Sequence, residues 1–313
     1  MNRPANKKRF YSNGKLLLTG EYVVLDGAKA LALPTTFGQD LSIEADDSAN
    51  IAWKSFDSDG TVWFEDEIGI DEISAEPNPD QIETVRSTLI GILREAKKLN
   101  REFLGPKEGF TIETRLTFPK RWGLGTSSTL INNIAQWAKI DAFELLKNSF
   151  GGSGYDIACA QNDNPIVYQL INEVPNIDNP HFQPDFADEL YFVYLNRKQS
   201  SKAAIASYYN NRMVDLQDNI ERISKITESV FKAPNIGIFA RELEKHESII
   251  SDIVEMKTVR EAFFSDFDGV VKSLGGWGGD FILAVSKKDP SGYFRERGFE
   301  TIVPYRNMIL GKR

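Results

Sequence analysis

Phe110, Ile112, Thr114, Leu116 and Phe118 alternate with more polar residues, a period of two that predicts a strand running into Pro119–Thr129, PKRWGLGTSST. Beyond that stretch Leu130, Ile134 and Ala138 recur every four residues, which predicts a helix. The glycine turn Gly123-Leu124-Gly125 and the cluster Thr126-Ser127-Ser128 lie between the two. Strand, tight loop and helix start are therefore expected in that order. A helix start leaves backbone N–H groups free and a positive dipole end, so it attracts anions, phosphate in particular. Glycines let the backbone come close, and hydroxyls add donors or metal ligands. Taken alone, the stretch is equally well read as a capped helix after a glycine turn.

Upstream, short strands are predicted at Leu16–Thr19, Tyr22–Leu25, Ala30–Leu33, Leu41–Ala45, Ile51–Phe56 and Thr61–Phe64, with turns at Asp26-Gly27 and Asp57–Gly60. Residues 1–9 read as a loose tail and Glu65–Pro79 as an acidic, solvated loop. Ile82, Val85, Leu89, Ile92, Ala96 and Leu99 step by three and four, the spacing of an amphipathic helix. Downstream come a helix around Ala142–Lys147, a strand at Ile166–Leu170, and a Pro/Asn-rich stretch, Asn172–Pro184, expected to mark a domain boundary. A strand at Leu190–Leu195 and a polar loop at Asn196–Lys202 follow. Helices are marked by Met213 to Ile226, Phe239 to Ile253 and Val259–Val271, before a buried strand at Phe281–Val285. His246 falls on the apolar stripe of its helix, which suits a core histidine better than a catalytic one.

Composition narrows the chemistry. The chain has 313 residues, 41% of them hydrophobic, enough for one large or two ordinary domains. Its formal net charge is −8, so neither nucleic acid nor a membrane surface is an expected partner. A phosphate ester would need a local positive field. One cysteine excludes an intramolecular disulfide framework and a multi-cysteine zinc site, and two histidines exclude a His-rich metal site. No apolar run is long enough to span a bilayer, and MNRPANKKRF carries no apolar leader core. A soluble cytoplasmic protein, monomeric or homodimeric, is expected.

Three glycine-bearing segments remain to be explained. Asn13-Gly14-Lys15 lacks the upstream glycine of a Walker A loop, and Gly123–Ser128 is not a full GxGxxG. In order and spacing they resemble the motifs of the GHMP kinases, which include galactokinase, homoserine kinase, mevalonate kinase and phosphomevalonate kinase. GKLLLTGEYVVLDGAKALALP, residues 14–34, resembles the first motif, with Asn13 where proline is usual. GLGTSS, residues 123–128, is similar to the Gly-Leu-Gly-Ser-Ser phosphate loop, with Thr126 for its first serine. KSLGGWGGD, residues 272–280, is similar to the third motif, with Gly276 for an alanine and Trp277 for a glycine. Glu21-Tyr22 and GSGYDIA, residues 152–158, look closest to the phosphomevalonate and mevalonate kinase branches. Mevalonate kinases usually have histidine where this chain has Tyr22, which leans toward the phosphomevalonate side.

The resemblance implies an α+β, two-domain fold. A ribosomal protein S5 domain 2-like N-terminal domain, 1–175, would bind ATP, and a ferredoxin-like C-terminal domain would span 176–313. It implies ATP and Mg²⁺ as cofactors and a small-molecule acceptor, mevalonate or phosphomevalonate first. By position it makes Asp156 the catalytic aspartate and Lys15 the lysine near the transferred phosphoryl group. Gly123, Leu124, Gly125, Thr126, Ser127 and Ser128 become the nucleotide loop, with Ser127 also on the metal. Glu21, Tyr22, Gly276, Trp277 and Gly278 become the acceptor side. The family's metal-binding glutamate falls eleven residues before the aspartate, which here is Leu145, with Glu144 one step off. Without the resemblance, Asp156 reads as a helix cap and Lys15 as a surface lysine. The departures at Asn13, Leu145 and Trp277 motivate two alternatives: a sugar or sugar-phosphate kinase, or a non-catalytic ligand-binding protein of the same fold.

Overall fold

The computed structural model describes residues 7–76, 82–105, 108–196, 208–210, 215–277 and 279–311. The chain forms two compact units, each drawn from three segments: Met1–Gly14, Phe37–Lys120 and Leu124–Gln161 in the first, Lys15–Thr36, Arg121–Gly123 and Asn162–Arg313 in the second. Strands β1 (Lys8–Thr19) and β2 (Ala30–Asp46) each run through both.

The first unit continues with β3 (Asn50–Phe56), β4 (Val62–Gly69), the short helix α1 (Ile70–Ser74), α2 (Val85–Leu99), β5 (Gly109–Leu116), α3 (Thr126–Ala138), α4 (Ala142–Ser149) and α5 (Tyr155–Gln161). Here β2 pairs antiparallel with β5, β5 parallel with β3, and β3 antiparallel with β4. The parallel pair needs a long crossover, which β4, α1 and α2 supply. Alternation does the rest. Leu41, Ile43, Ile51, Trp53 and Ile112 point to one face, where Leu89, Leu93, Ile134 and Leu145 from the helices cover them.

The second unit holds β6 (Ile166–Ile171), β7 (Val174–Asp178), β8 (Leu190–Tyr194), α6 (Leu216–Phe231), α7 (Ile236–Val254), α8 (Val259–Phe263), β9 (Val270–Leu274), β10 (Phe281–Val285), α9 (Ser291–Arg295), β11 (Ile302–Pro304) and α10 (Tyr305–Met308). Ala30–Ala32 of β2 pair with β6, and β6 with β7. A separate antiparallel sheet runs β11-β8-β10-β9, and all five residues of its inner strand β10 are buried. Among the pairings given above, β3–β5 is parallel and the others are antiparallel, which bears out the α+β class and does not fit a doubly wound sheet.

Six local expectations are corrected. Tyr22–Leu25 is a 3₁₀ turn (Val23–Asp26), because Gly20 and Tyr22 take positive φ (93° and 62°) and turn the chain back. The strands at Ala30–Leu33 and Leu41–Ala45 are two ends of β2. The helix from Val259 stops at Phe263, and the chain resumes as β9, since the polar run to Asp268-Gly269 breaks it while Phe264 and Phe267 turn inward to the core. Asn172–Pro184 contains β7, a paired strand. Helix α2 starts later than its apolar spacing suggests, because Thr84 caps it by accepting from the Ser87 N–H at 3.1 Å. Most of the acidic loop is β4 and α1, with residues 77–79 outside the described residues, as are 197–202 of the polar loop. Among the described residues no helix is long and apolar enough to cross a membrane.

Candidate active site

The backbone of Pro119–Thr129 takes the form its residues predict. Gly125, at φ 95°, is the N-cap of α3, and having no side chain it leaves the first-turn N–H groups uncapped. Ser127 is exposed, Thr126 half-buried, and Leu124 fully buried as the anchor between the two glycines. Thr129 and Ser128 turn inward. The Thr129 hydroxyl donates to Gln39 Oε1 at 2.6 Å.

A buried polar network then fixes the helix. Asn132 Nδ2 donates to Ser12 Oγ (2.8 Å), which donates to Asn133 Oδ1 (2.7 Å), and Asn133 Nδ2 donates to the Gln39 carbonyl (2.9 Å). Gln161 Nε2, at the end of α5, donates to Asn132 Oδ1 (2.9 Å). Every member is satisfied, which makes such a network rigid. It matters because α5 carries Asp156 in its first turn, after Gly152 and Gly154 at φ 105° and 89°. Helices α3 and α5 are thus tied together within one unit. Asp156 is half-buried.

A cavity of about 420 Å³ opens beside the loop, entirely within the first unit. Thr126 and Ser127 line one end; Trp53, Trp63, Thr88, Leu89 and Lys120 line its body. The Lys120 ammonium sits 3.7 Å from the Trp63 ring centre, a cation–π contact. Trp63 Nε1 is buried and, among the described residues, has no hydrogen-bond partner. A buried donor left unmatched is costly, which marks it as a place for a ligand atom or water.

The second unit holds the other assigned residues. Lys15 is half-buried on β1. Glu21, 2% exposed, takes the Lys272 ammonium at 2.5 Å, and Lys272 also donates to the Ser273 carbonyl at 2.7 Å. Glu247, fully buried on α7, accepts from the Ser273 hydroxyl at 2.9 Å and lies 3.9 Å from Lys272. His246 Nε2 accepts from the Gly20 N–H at 2.8 Å, so it is a core histidine that fixes a backbone turn. The Tyr22 hydroxyl accepts from the Trp277 N–H at 2.7 Å, and the Trp277 indole, itself buried, donates to the Lys257 carbonyl at 3.0 Å. Gly276 is half-buried, and Gly278 lies outside the described residues. Leu145 belongs to the core and Glu144 is exposed in the first turn of α4.

Burial outweighs the attraction of Lys272 and pushes the Glu21 carboxyl up to about 7; Glu247 is raised for the same reason. Burial, helped by the Lys272 charge, holds His246 well below its usual 6.5. The unfolded imidazole takes a proton near pH 6.5 and the folded one does not. His246 therefore contributes stability above that pH which is lost as pH falls below it. Glu21 works oppositely, losing stability as pH rises from its ordinary 4.5 through about 7. His246→Gln keeps an acceptor for Gly20 and removes the titrating ring. Its stability deficit against wild type should shrink between pH 7 and pH 5, measured by chemical unfolding. A deficit independent of pH would show that the ring is not held neutral.

Sequence reasoning did not single out Trp63, Lys120, the Asn132–Asn133 pair or the Lys272–Glu21 bridge. A signal existed for Lys272, a lone cation inside the apolar run Val270–Leu274.

No protein-family model matches the chain, and no curated protein sequence does. Solved structures do. The chain superposes on the mevalonate kinase of Methanococcus jannaschii with a TM-score of 0.72 at 15% identity, covering 99% of this chain and 100% of that one. The Streptococcus pneumoniae phosphomevalonate kinase in complex with phosphomevalonate and AMPPNP gives 0.67 at 16% identity, over 97% and 98%. Lactococcus lactis galactokinase complexed with galactose gives 0.67 at 12%, over 98% and 94%. These neighbours are all GHMP kinases, and at such low identities the likeness reports architecture. The chain has the GHMP kinase fold over nearly its whole length.

Proposed function

We propose that the chain is an ATP-dependent kinase that transfers a γ-phosphoryl group to a small acceptor, mevalonate or phosphomevalonate. The cavity beside α3 carries this reading. It joins an uncapped helix start, suited to phosphates, to an aromatic-walled chamber with a spare indole donor, suited to a nucleoside base. The phosphates would rest on the backbone of Gly123–Ser128, and the base would lie against Trp63 and Lys120. Magnesium fits this donor set as a metal shared with the nucleotide. Mg²⁺ takes one or two protein oxygens and fills its remaining positions with phosphates and water. Ser127 would supply such an oxygen, and no cluster of three acidic, His or Cys side chains is present among the described residues. When bound, the metal neutralises charge on the phosphate oxygens.

Lys15 would stabilise charge on the transferred group and Asp156 would position the acceptor, receiving the proton of a hydroxyl acceptor such as mevalonate or orienting a phosphate oxygen of phosphomevalonate, as the acceptor oxygen bonds to phosphorus and the bond to the ADP oxygen breaks. On the acceptor side, Tyr22 and Gly276 would meet the substrate. Glu21 and Trp277, engaged by Lys272 and Lys257, would support them from behind. Tyr22 in place of histidine favours phosphomevalonate.

The test is an acceptor screen with ATP and Mg²⁺: phosphomevalonate first, then mevalonate, then hexose and heptose phosphates. Turnover of a sugar phosphate alone would move the chain to the sugar kinases, and ATP binding without any turnover would favour the non-catalytic alternative. A second measurement addresses the loop. Gly125→Val puts a side chain at φ 95° where the phosphates approach. ATP affinity should fall about 10–100-fold, the worth of one hydrogen bond to a charged group. Unchanged affinity in the folded variant would remove the loop assignment.

A further inference from the structure

Glycines permit a phosphate-binding turn but do not hold it, since each is free to take many other conformations. Something else must fix the backbone that enters Gly123. Within the second unit that backbone is fastened at two successive residues, Arg121 and Trp122, to the ends of β8 and β10, and Asp280 comes close at the third. The Tyr194 hydroxyl donates to the Arg121 carbonyl at 3.0 Å. The Trp122 ring stands edge-on to Phe281, with centroids 5.4 Å apart, and tilts against Tyr194 at 6.2 Å. Tyr194 and Phe281 are themselves cross-strand partners with rings 5.2 Å apart, so the three rings form one cluster. At Gly123, φ 68°, the Asp280 carboxylate lies so close that any Cβ would collide with it.

We propose that Trp122 and Tyr194 are positioning residues for the phosphate loop, an aromatic clamp that sets nucleotide affinity without touching the nucleotide. This rests on the reading of Gly123–Ser128 as the loop that holds ATP's phosphates. Burial and the Asp280 charge keep the Tyr194 hydroxyl protonated, as a donor must be. Trp122 lies one residue before the glycine turn, so a shift of its ring moves Gly123 directly.

Mg²⁺–AMPPNP binding to the full chain, followed by titration calorimetry at a temperature where every variant is folded by circular dichroism, tests it. Tyr194→Phe keeps the ring and removes one neutral hydrogen bond, and should raise Kd about 2–12-fold. Trp122→Leu removes both ring contacts and should raise it at least as much. Trp122→Phe should return Kd to within about twofold of wild type, since one aromatic pair survives. A merely structural role would lower the melting temperature in these variants and leave Kd unchanged. Wild-type Kd in both Tyr194→Phe and Trp122→Leu overturns the clamp while leaving the loop assignment standing. If Trp122→Leu does not fold, Tyr194→Phe decides alone. Failure of the wild type to bind Mg²⁺–AMPPNP at all would instead overturn the loop reading, and the clamp with it.

Discussion

Asp156→Asn should lower kcat about 10²–10⁴-fold while leaving ATP affinity near the wild-type value, the loss typical of a positioned acid–base group. The substitution preserves shape and hydrogen-bonding reach and removes one charge. Its helix stays in place, because α5 is tied to α3 through Gln161 and Asn132 at the far end from Asp156. The loop N–H groups and the cavity around Trp63 are built by other residues, so nucleotide binding has no reason to change. Lys15→Met should act similarly, by removing positive charge that strengthens as the phosphoryl group transfers. Steady-state kinetics with the acceptor found by screening, together with nucleotide titration, separates the two parameters. Near-normal kcat in Asp156→Asn would refute the assigned mechanism and leave the fold untouched.

Lys272→Met should destabilise the second unit by about 3–5 kcal/mol, the cost of leaving a buried charge without its partner. Lys272 is 1% exposed, and its ammonium lies against Glu21 and near Glu247, both buried. Methionine fills similar space, so the loss would be electrostatic and not a packing defect. Such a loss is a large fraction of an ordinary domain's stability. Two features identify the cause. Glu21→Gln added to Lys272→Met should recover part of the loss, a non-additivity expected of contacting residues. The single variant should also regain stability as pH falls, because its stranded carboxylates, already raised in the wild type, can take up protons. Equal destabilisation at pH 5 and pH 8, with no recovery in the double variant, would rule out the ion pair as the cause.

What could be read from the sequence was local. The turn at Gly123–Gly125 and the start of α3 follow from glycine, hydroxyl residues and a four-residue apolar spacing, all within one short stretch. The same holds for β3, α2 and α7, whose apolar positions repeat at two, or at three and four, and for β10, a continuous apolar run of five. The three motifs added the expected fold class, because their order along the chain is a sequence property. Tyr22–Leu25 marks the limit even of local reading: its β-favouring residues lose to a backbone reversal that only the packed chain imposes.

The bonding partners of the side chains were decided elsewhere. Lys272 and Glu21 are 251 positions apart, Trp277 and Tyr22 255, Tyr194 and Arg121 73, and no periodicity links residues at such separations. A tryptophan such as Trp63 reads equally as core or as the wall of a binding site, and only its neighbours Lys120 and Ser127 separate the two. Backbone geometry and side-chain spacing act over a few residues, so the sequence determines its helices, turns and strands. The cavity, the buried ion pair and the clamp depend on which strands lie side by side, and that is settled when the whole chain packs.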